Sequence, residues 1–191
     1  EVSGPHYYPV KIQSALTIFQ HVKEKMEQVI AESNIPRNKL LVAGIELPGL
    51  TDQKRGINKT YFPNVRNLSA ELKKIFGIPV YFNHDSKVRA FAEQHFGLAQ
   101  NKKNALILQI DWGVGLGIII EGKLYTGKSG FSGEFGHLPI AGNGVLCTCG
   151  KRGCLETMVS ATAIARIAKE GLRNGNQSLI TELTAGDKEK I

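Results

Sequence analysis

From residue 11 to residue 33, Ile12, Leu16, Phe19, Val22, Met26 and Val29 recur at steps of three and four among Lys, Glu and Gln. That period predicts an amphipathic helix, which Pro36 ends because proline disfavours helix at the residue before it. Leu40 to Leu47 is apolar, partly β-branched and closed by Pro48-Gly49, the pattern of a strand. Thr51 to Asn67 mixes Gly, Asn, Pro and charge. A loop that long is expected to be functional or to hold small elements of its own. Leu68, Leu72, Ile75 and Phe76 then predict a short helix stopped by Gly77. Val80 to Phe82 reads as a strand running into Asn83-His84-Asp85, with a helix from 86 to 96. Ala105 to Ile110 predicts another strand. Gly113, Gly115 and Gly117 alternate through an expected turn into a strand over Ile118 to Ile120, and Glu121-Gly122 is a two-residue hairpin signal. A last helix is expected over Ala161 to Leu172 with Ser160 as its N-cap. Strands alternating with helices, plus one hairpin, predict an α/β chain with a mixed sheet. The polar connection at 101–104 is the expected boundary between lobes at 1–102 and 103–191.

Composition narrows the class. The chain has 191 residues, 42% hydrophobic and 21% charged, which is ordinary for a globular protein large enough to bury a core. No apolar run approaches the roughly 18 residues of a membrane span, and no charged-then-apolar leader opens the chain. A soluble cytoplasmic protein with no membrane partner is the expectation. The net charge of +7 raises the question of nucleic acid. Yet the basic residues are scattered, as in Lys23, Lys25, Arg37, Lys39, Lys54, Arg55, Lys102, Lys103, Lys151 and Arg152, and no helix face is uniformly basic. A solvated surface is favoured over a phosphate-facing patch.

Candidate chemistry is concentrated in a few places. Three cysteines are too few for a disulfide framework, and Cys147, Cys149 and Cys154 fall within eight positions. With His137 they supply the four ligands of a closed tetrahedral Zn²⁺ site, structural because every position is protein. Gly150 and Gly153 let the backbone turn tightly enough for the sulfurs to converge. The alternative is three small buried thiols beside an unrelated histidine. Gly113, Gly115 and Gly117 could bring backbone N–H groups to a phosphate, or could mark a bend where strands pack closely. Asp85, at a strand tip, could be a general base or a helix N-terminal acid favoured by the macrodipole. Glu134 and Glu156 could be functional or simply solvated.

Together these segments resemble the ROK family, named for repressors, open reading frames and sugar kinases, and most of all its repressors of the xylose and N-acetylglucosamine type. The resemblance rests on Gly133-Glu134-Phe135-Gly136-His137 and on Cys147-x-Cys149-Gly150-x-x-Gly153-Cys154-x-Glu156. The Asp111-to-Gly117 turn, the hairpin through Gly122-Lys123-Leu124-Tyr125, and Asn83-His84-Asp85 extend it over residues 40 to 170. It implies an actin-like (ribonuclease-H-like) α/β fold of the two-lobed ATPase type, present here as a partial domain, with a sugar as ligand. In the family's terms Asp85 matches the base that deprotonates a sugar hydroxyl, and Glu134, His137 and Glu156 match sugar-hydroxyl ligands, with His84 beside Asp85. His137 would serve both zinc and sugar, one ring nitrogen to each.

Departures from the kinases favour another role. No Asp-x-Gly-x-Thr loop precedes Lys11, His84 stands where kinases usually carry Asn, and Trp112 and Val114 bring bulk to the glycine turn. The chain also stops soon after the zinc motif, as a central piece of a longer protein would. The resemblance therefore implies a sugar-responsive transcriptional repressor, its effector a sugar or sugar phosphate. Its DNA contact would run through a helix-turn-helix outside this chain, in a homodimer or homotetramer. A sugar kinase using ATP and Mg²⁺, with Asp85 as base, is the second reading. A sugar-binding protein with neither activity is the third.

Overall fold

A computed structural model of the chain describes Pro5, Tyr8 and residues 16–33 and 35–184. It divides into two compact units, Glu1–Val88 with Thr126–Phe131, and Arg89–Tyr125 with Ser132–Ile191. The division falls inside a helix, and the polar connection at 101–104 lies within the second unit.

In the first unit the 3.6-residue stripe forms α1 (Thr17–Glu32). Residues 11–15 of the expected helix lie outside the described residues. The strand expected from Leu40 is shorter, β1 (Ala43–Leu47), and Leu41 before it is 81% exposed. The long excursion after Pro48 does contain elements of its own, the antiparallel pair β2 (Thr51–Asp52) and β3 (Ile57–Asn58). They close around Asn58, which is fully buried and fully engaged. Its amide donates to the Pro48 carbonyl and to Thr51 Oγ1, both at 2.9 Å, and its oxygen accepts from the Tyr61 N–H at 2.8 Å.

α2 (Leu68–Phe76) starts at Asn67, whose side chain accepts from the Ala70 N–H at 3.0 Å, and ends at Gly77 in the left-handed conformation. Leu68, Leu72 and Phe76 on one face of α2 are buried against Val80 and Phe82. Those two belong to β4 (Val80–His84), which pairs in parallel with β1 from Ala43↔Val80 to Leu47↔His84. Phe19 of α1 completes the cluster, its ring 5.1 Å from that of Phe62. The parallel pair carries its C-terminal ends to His84, the edge at which open α/β sheets present ligand-binding groups. α3 (Asp85–Phe96) begins immediately, and its first turn belongs to the first unit.

The second unit is built on an antiparallel sheet of β5 (Ala105–Ile110), β6 (Val114–Ile120) and β7 (Lys123–Leu124). β5 has the expected bounds. β6 starts four positions earlier than expected, so Gly115 and Gly117 lie in a strand opposite Gln109 and Ile107. Glycine carries no strand signal of its own, which is why the pattern reads as a turn. Glu121 (φ 51°) and Gly122 (φ 72°) form the hairpin loop, both left-handed as a type I′ turn requires. α4 (Glu156–Val159) and α6 (Leu179–Leu183) carry too short a periodicity to be foreseen. Between them α5 (Ala161–Arg173) is capped as expected, the Ser160 hydroxyl accepting from the Ala163 N–H at 3.1 Å. Among the described residues no helix is long and apolar enough to cross a membrane.

Candidate metal centre and ligand site

Tight backbone closure brings the cysteines together. The Cys147 N–H donates to the Lys151 carbonyl at 2.7 Å and the Gly150 N–H to the Cys147 carbonyl at 2.9 Å. Gly153 has φ +64° and no room for a side chain, since a Cβ there would collide with the carbonyl of Ala141. The result is four ligand atoms, from His137, Cys147, Cys149 and Cys154, all within 4.8 Å of one another. Cys149 Sγ and Cys154 Sγ are 3.6 Å apart, and Cys147 Sγ is 3.5 Å from His137 Nδ1. A tetrahedral ion bonded at about 2.3 Å to sulfur and about 2.0 Å to nitrogen would need separations of about 3.8 Å and about 3.5 Å. The quartet is therefore spaced as a metal site, and it can hold a cation without a fifth group.

The thiols differ in their readiness to ionise. Burial pushes the Cys154 thiol up to about 12, and its hydrogen bonds with Cys149 and Cys147 and the charge on those neighbours push the same way. Burial also works against ionising Cys149, but there the backbone N–H of Lys151, hydrogen bonds with Cys147 and Cys154 and the Lys151 charge outweigh it. The Cys149 pKa falls below the ordinary thiol value. A divalent cation must therefore displace the Cys154 proton, a step its own charge drives.

Gly133 and Gly136 place the neighbouring acid and imidazole. Each lies so close to β6 that a Cβ would overlap a strand carbonyl, that of Leu116 for Gly133 and that of Val114 for Gly136. The Leu116 N–H in turn donates to the Gly133 carbonyl at 3.2 Å. A short 3₁₀ turn, Phe135–His137, follows. His137 thus directs Nδ1 to the cysteines and Nε2 toward Glu134, 3.9 Å from its Oε2. Lys151 Nζ donates to the His137 carbonyl at 2.7 Å, a support the sequence pattern does not announce.

Glu156 opens α4 and turns back to β6, where its Oε2 accepts from the Val114 N–H at 3.0 Å. Gly113 makes this approach possible, because a Cβ there would stand 2.8 Å from that same oxygen. The turn is pinned at further points: the Asp111 carbonyl accepts from the Ala161 N–H at 2.8 Å, the Trp112 carbonyl from Thr162 Oγ1 at 3.0 Å, and the Asp111 carboxylate from Arg89 at 3.3 Å. Glu134, His137, Glu156 and the three glycines all belong to the second unit.

His84 and Asp85 belong to the first unit. Asp85 Oδ1 accepts from the Ser86 N–H at 2.6 Å at the start of α3, and His84 Nδ1 lies 3.0 Å from Asp85 Oδ1 and 2.8 Å from Ser86 Oγ. Asp85 is thus both a helix N-terminal acid and a partly exposed carboxylate at a strand tip.

Comparison with known proteins places this geometry. The model of the ROK family matches residues 6–190. A glucokinase of Thermotoga maritima is 35% identical over 91% of this chain and 57% of its own length. A xylose repressor of Bacillus subtilis is 39% identical over 66% of this chain and 34% of its own. The crystal structure of a ROK family glucokinase from Streptomyces griseus, in complex with glucose and AMPPNP, aligns with a TM-score of 0.73 at 28% identity, covering 89% of this chain and 56% of that one. The chain spans between about a third and three-fifths of the length of these curated relatives.

Proposed function

This chain belongs to the ROK family, with its actin-like α/β fold, and on that premise we propose that it is part of the sugar-sensing domain of a transcriptional regulator. Glu134, His137, Glu156, His84 and Asp85 are the sugar-hydroxyl ligands in this reading, since hydroxyls need directional acceptors and donors of this kind. Zinc occupies His137, Cys147, Cys149 and Cys154, whose spacing and all-protein ligand set suit a structural tetrahedral site. Through the imidazole of His137, the ion fixes the ring that meets the sugar. A helix-turn-helix outside this chain contacts DNA, in a homodimer or homotetramer.

The observation that carries the regulator reading is the state of the glycine turn. Its Val114 N–H is already bonded to Glu156, and Gly115 and Gly117 are paired within the sheet. Backbone amides that receive phosphate in a kinase must be available to it. Trp112, 75% exposed at the same turn, adds bulk where a nucleotide would approach. The second reading, an ATP- and Mg²⁺-dependent sugar kinase with Asp85 as general base, is favoured by the glucokinase likeness over most of the chain.

The test is binding of the full-length protein to the DNA upstream of its own reading frame, with and without a panel of aldoses and their phosphates. A regulator binds that DNA, and one ligand changes the affinity at least tenfold. Absence of sequence-selective binding would overturn the reading.

A further inference from the structure

The first unit contains a concave site that the sugar-hydroxyl set leaves unused. A cavity of about 270 Å³ is lined by the β2–β3 hairpin, Asn83, the start of α3 and residues 126–131. Lys54, Arg55, Lys59, Lys87 and Lys128 all line it, against Asp52 as the one acid of the lining. The sequence scatters these cations over three separate segments, and the fold gathers them.

The one acid is spent locally. Asp52 Oδ1 accepts from the Arg55 N–H at 3.1 Å, and its Oδ2 lies 3.7 Å from Arg55 Nε. Lys87 is only 3% exposed and its ammonium donates to the carbonyl of Gly130, so it forms part of the wall. Lys59 is held over the ring of Phe131, 5.4 Å from its centroid, which keeps its charge at the site. Leaving Lys87 aside, Lys54, Lys59 and Lys128 still exceed the charge of the Asp52–Arg55 pair by three. Like charges gathered on a concave, low-dielectric wall repel one another and focus a positive potential into the cavity. Neutral hydroxyls gain little from such a lining, whereas an oxyanion relieves the repulsion and accepts charge-assisted hydrogen bonds. Lysines act on phosphate as point charges, and Thr126, Ser129 and Asn83 add neutral polar groups. The cavity lies just below the roughly 300 Å³ at which drug-sized pockets begin, which fits a small ligand and not a strand of nucleic acid.

We propose that this cavity binds the phosphate of a small phosphate monoester, making the effector of the sensor a phosphorylated sugar. The identity of the sugar part rests on the sensor reading above; the anion site stands on its own lining. The test is calorimetric titration of the full-length protein with inorganic phosphate, glucose 6-phosphate, glucose and ATP, for wild type and the Lys59→Gln/Lys128→Gln double variant, at low and at physiological salt. Both lysines are exposed, and circular dichroism checks that the variant is folded. Inorganic phosphate and glucose 6-phosphate are expected to bind wild type, to weaken with salt, and to lose at least tenfold in affinity in the variant. Equal affinity for variant and wild type, or no binding of either phosphate, overturns the site. ATP binding more tightly than glucose 6-phosphate through the same lysines overturns its assignment to a small monoester. Should phosphate fail while an unphosphorylated sugar still releases DNA, the anion site falls and the sensor stands. Should phosphate bind while DNA does not, the reverse holds.

Discussion

In the first unit, eight buried apolar side chains contributed by α1, β1, α2, β4 and Phe62 meet in one cluster. In the second, the loop from Gly133 to Glu156 is organised instead by four ligand atoms within 4.8 Å and by glycines pressed against strand and loop carbonyls. The difference lies in redundancy. An apolar cluster spreads its stabilisation over many contacts, each small, and survives the loss of one with a measured cost. A metal held by such a four-ligand centre would concentrate the organisation of the loop in one ion, so losing one ligand is expected to release the whole loop. The loop also carries Glu134 and His137, so on the proposed function the same centre that holds the loop sets the geometry of two ligand groups.

That contrast can be broken most forcefully at Cys154. Cys154→Ser removes the most buried ligand, and the apparent binding free energy at stake in structural zinc sites is about 10–16 kcal/mol. The variant is expected to lose its metal and to become sensitive to limited proteolysis between 138 and 153, while the first unit stays protected. Metal content by elemental analysis, with mapping of the cleavage sites, reads both; retained metal with an intact loop would make the centre dispensable.

The smaller expected effect is in the first unit. Leu72→Ala opens a cavity at a position of zero exposure and should cost about 2–5 kcal/mol, seen as a lower urea midpoint. Metal content should not change. A fall in bound metal would show that the two regions are not independently held.

What the sequence makes legible follows the range of the forces involved. α2, β5 and the capped start of α5 were readable because their signals are local: a three-to-four-residue stripe with Gly77 behind it, a six-residue apolar run, a serine before an alanine-rich helix. The metal quartet was readable because three of its four ligands fall in one short segment, and the spacing of the ligand atoms in the fold agrees with that reading. β6 was half hidden, because its glycines are selected by the close approach of Gly133 and Gly136 across the unit and carry no strand propensity of their own. The bond from Glu156 to Val114, spanning 42 positions, could not be anticipated at all, nor could the convergence of Lys54, Lys59, Lys87 and Lys128. Tertiary approach creates both, and no local pattern records it.

The most direct test of the regulator reading is ADP release by the full-length protein with ATP, Mg²⁺ and a panel of aldoses, run for wild type and Asp85→Asn. A turn whose amide is already bonded to Glu156 predicts no sugar-dependent ADP above background in either. Robust turnover in the wild type that Asp85→Asn abolishes would contradict the account and make the protein a kinase.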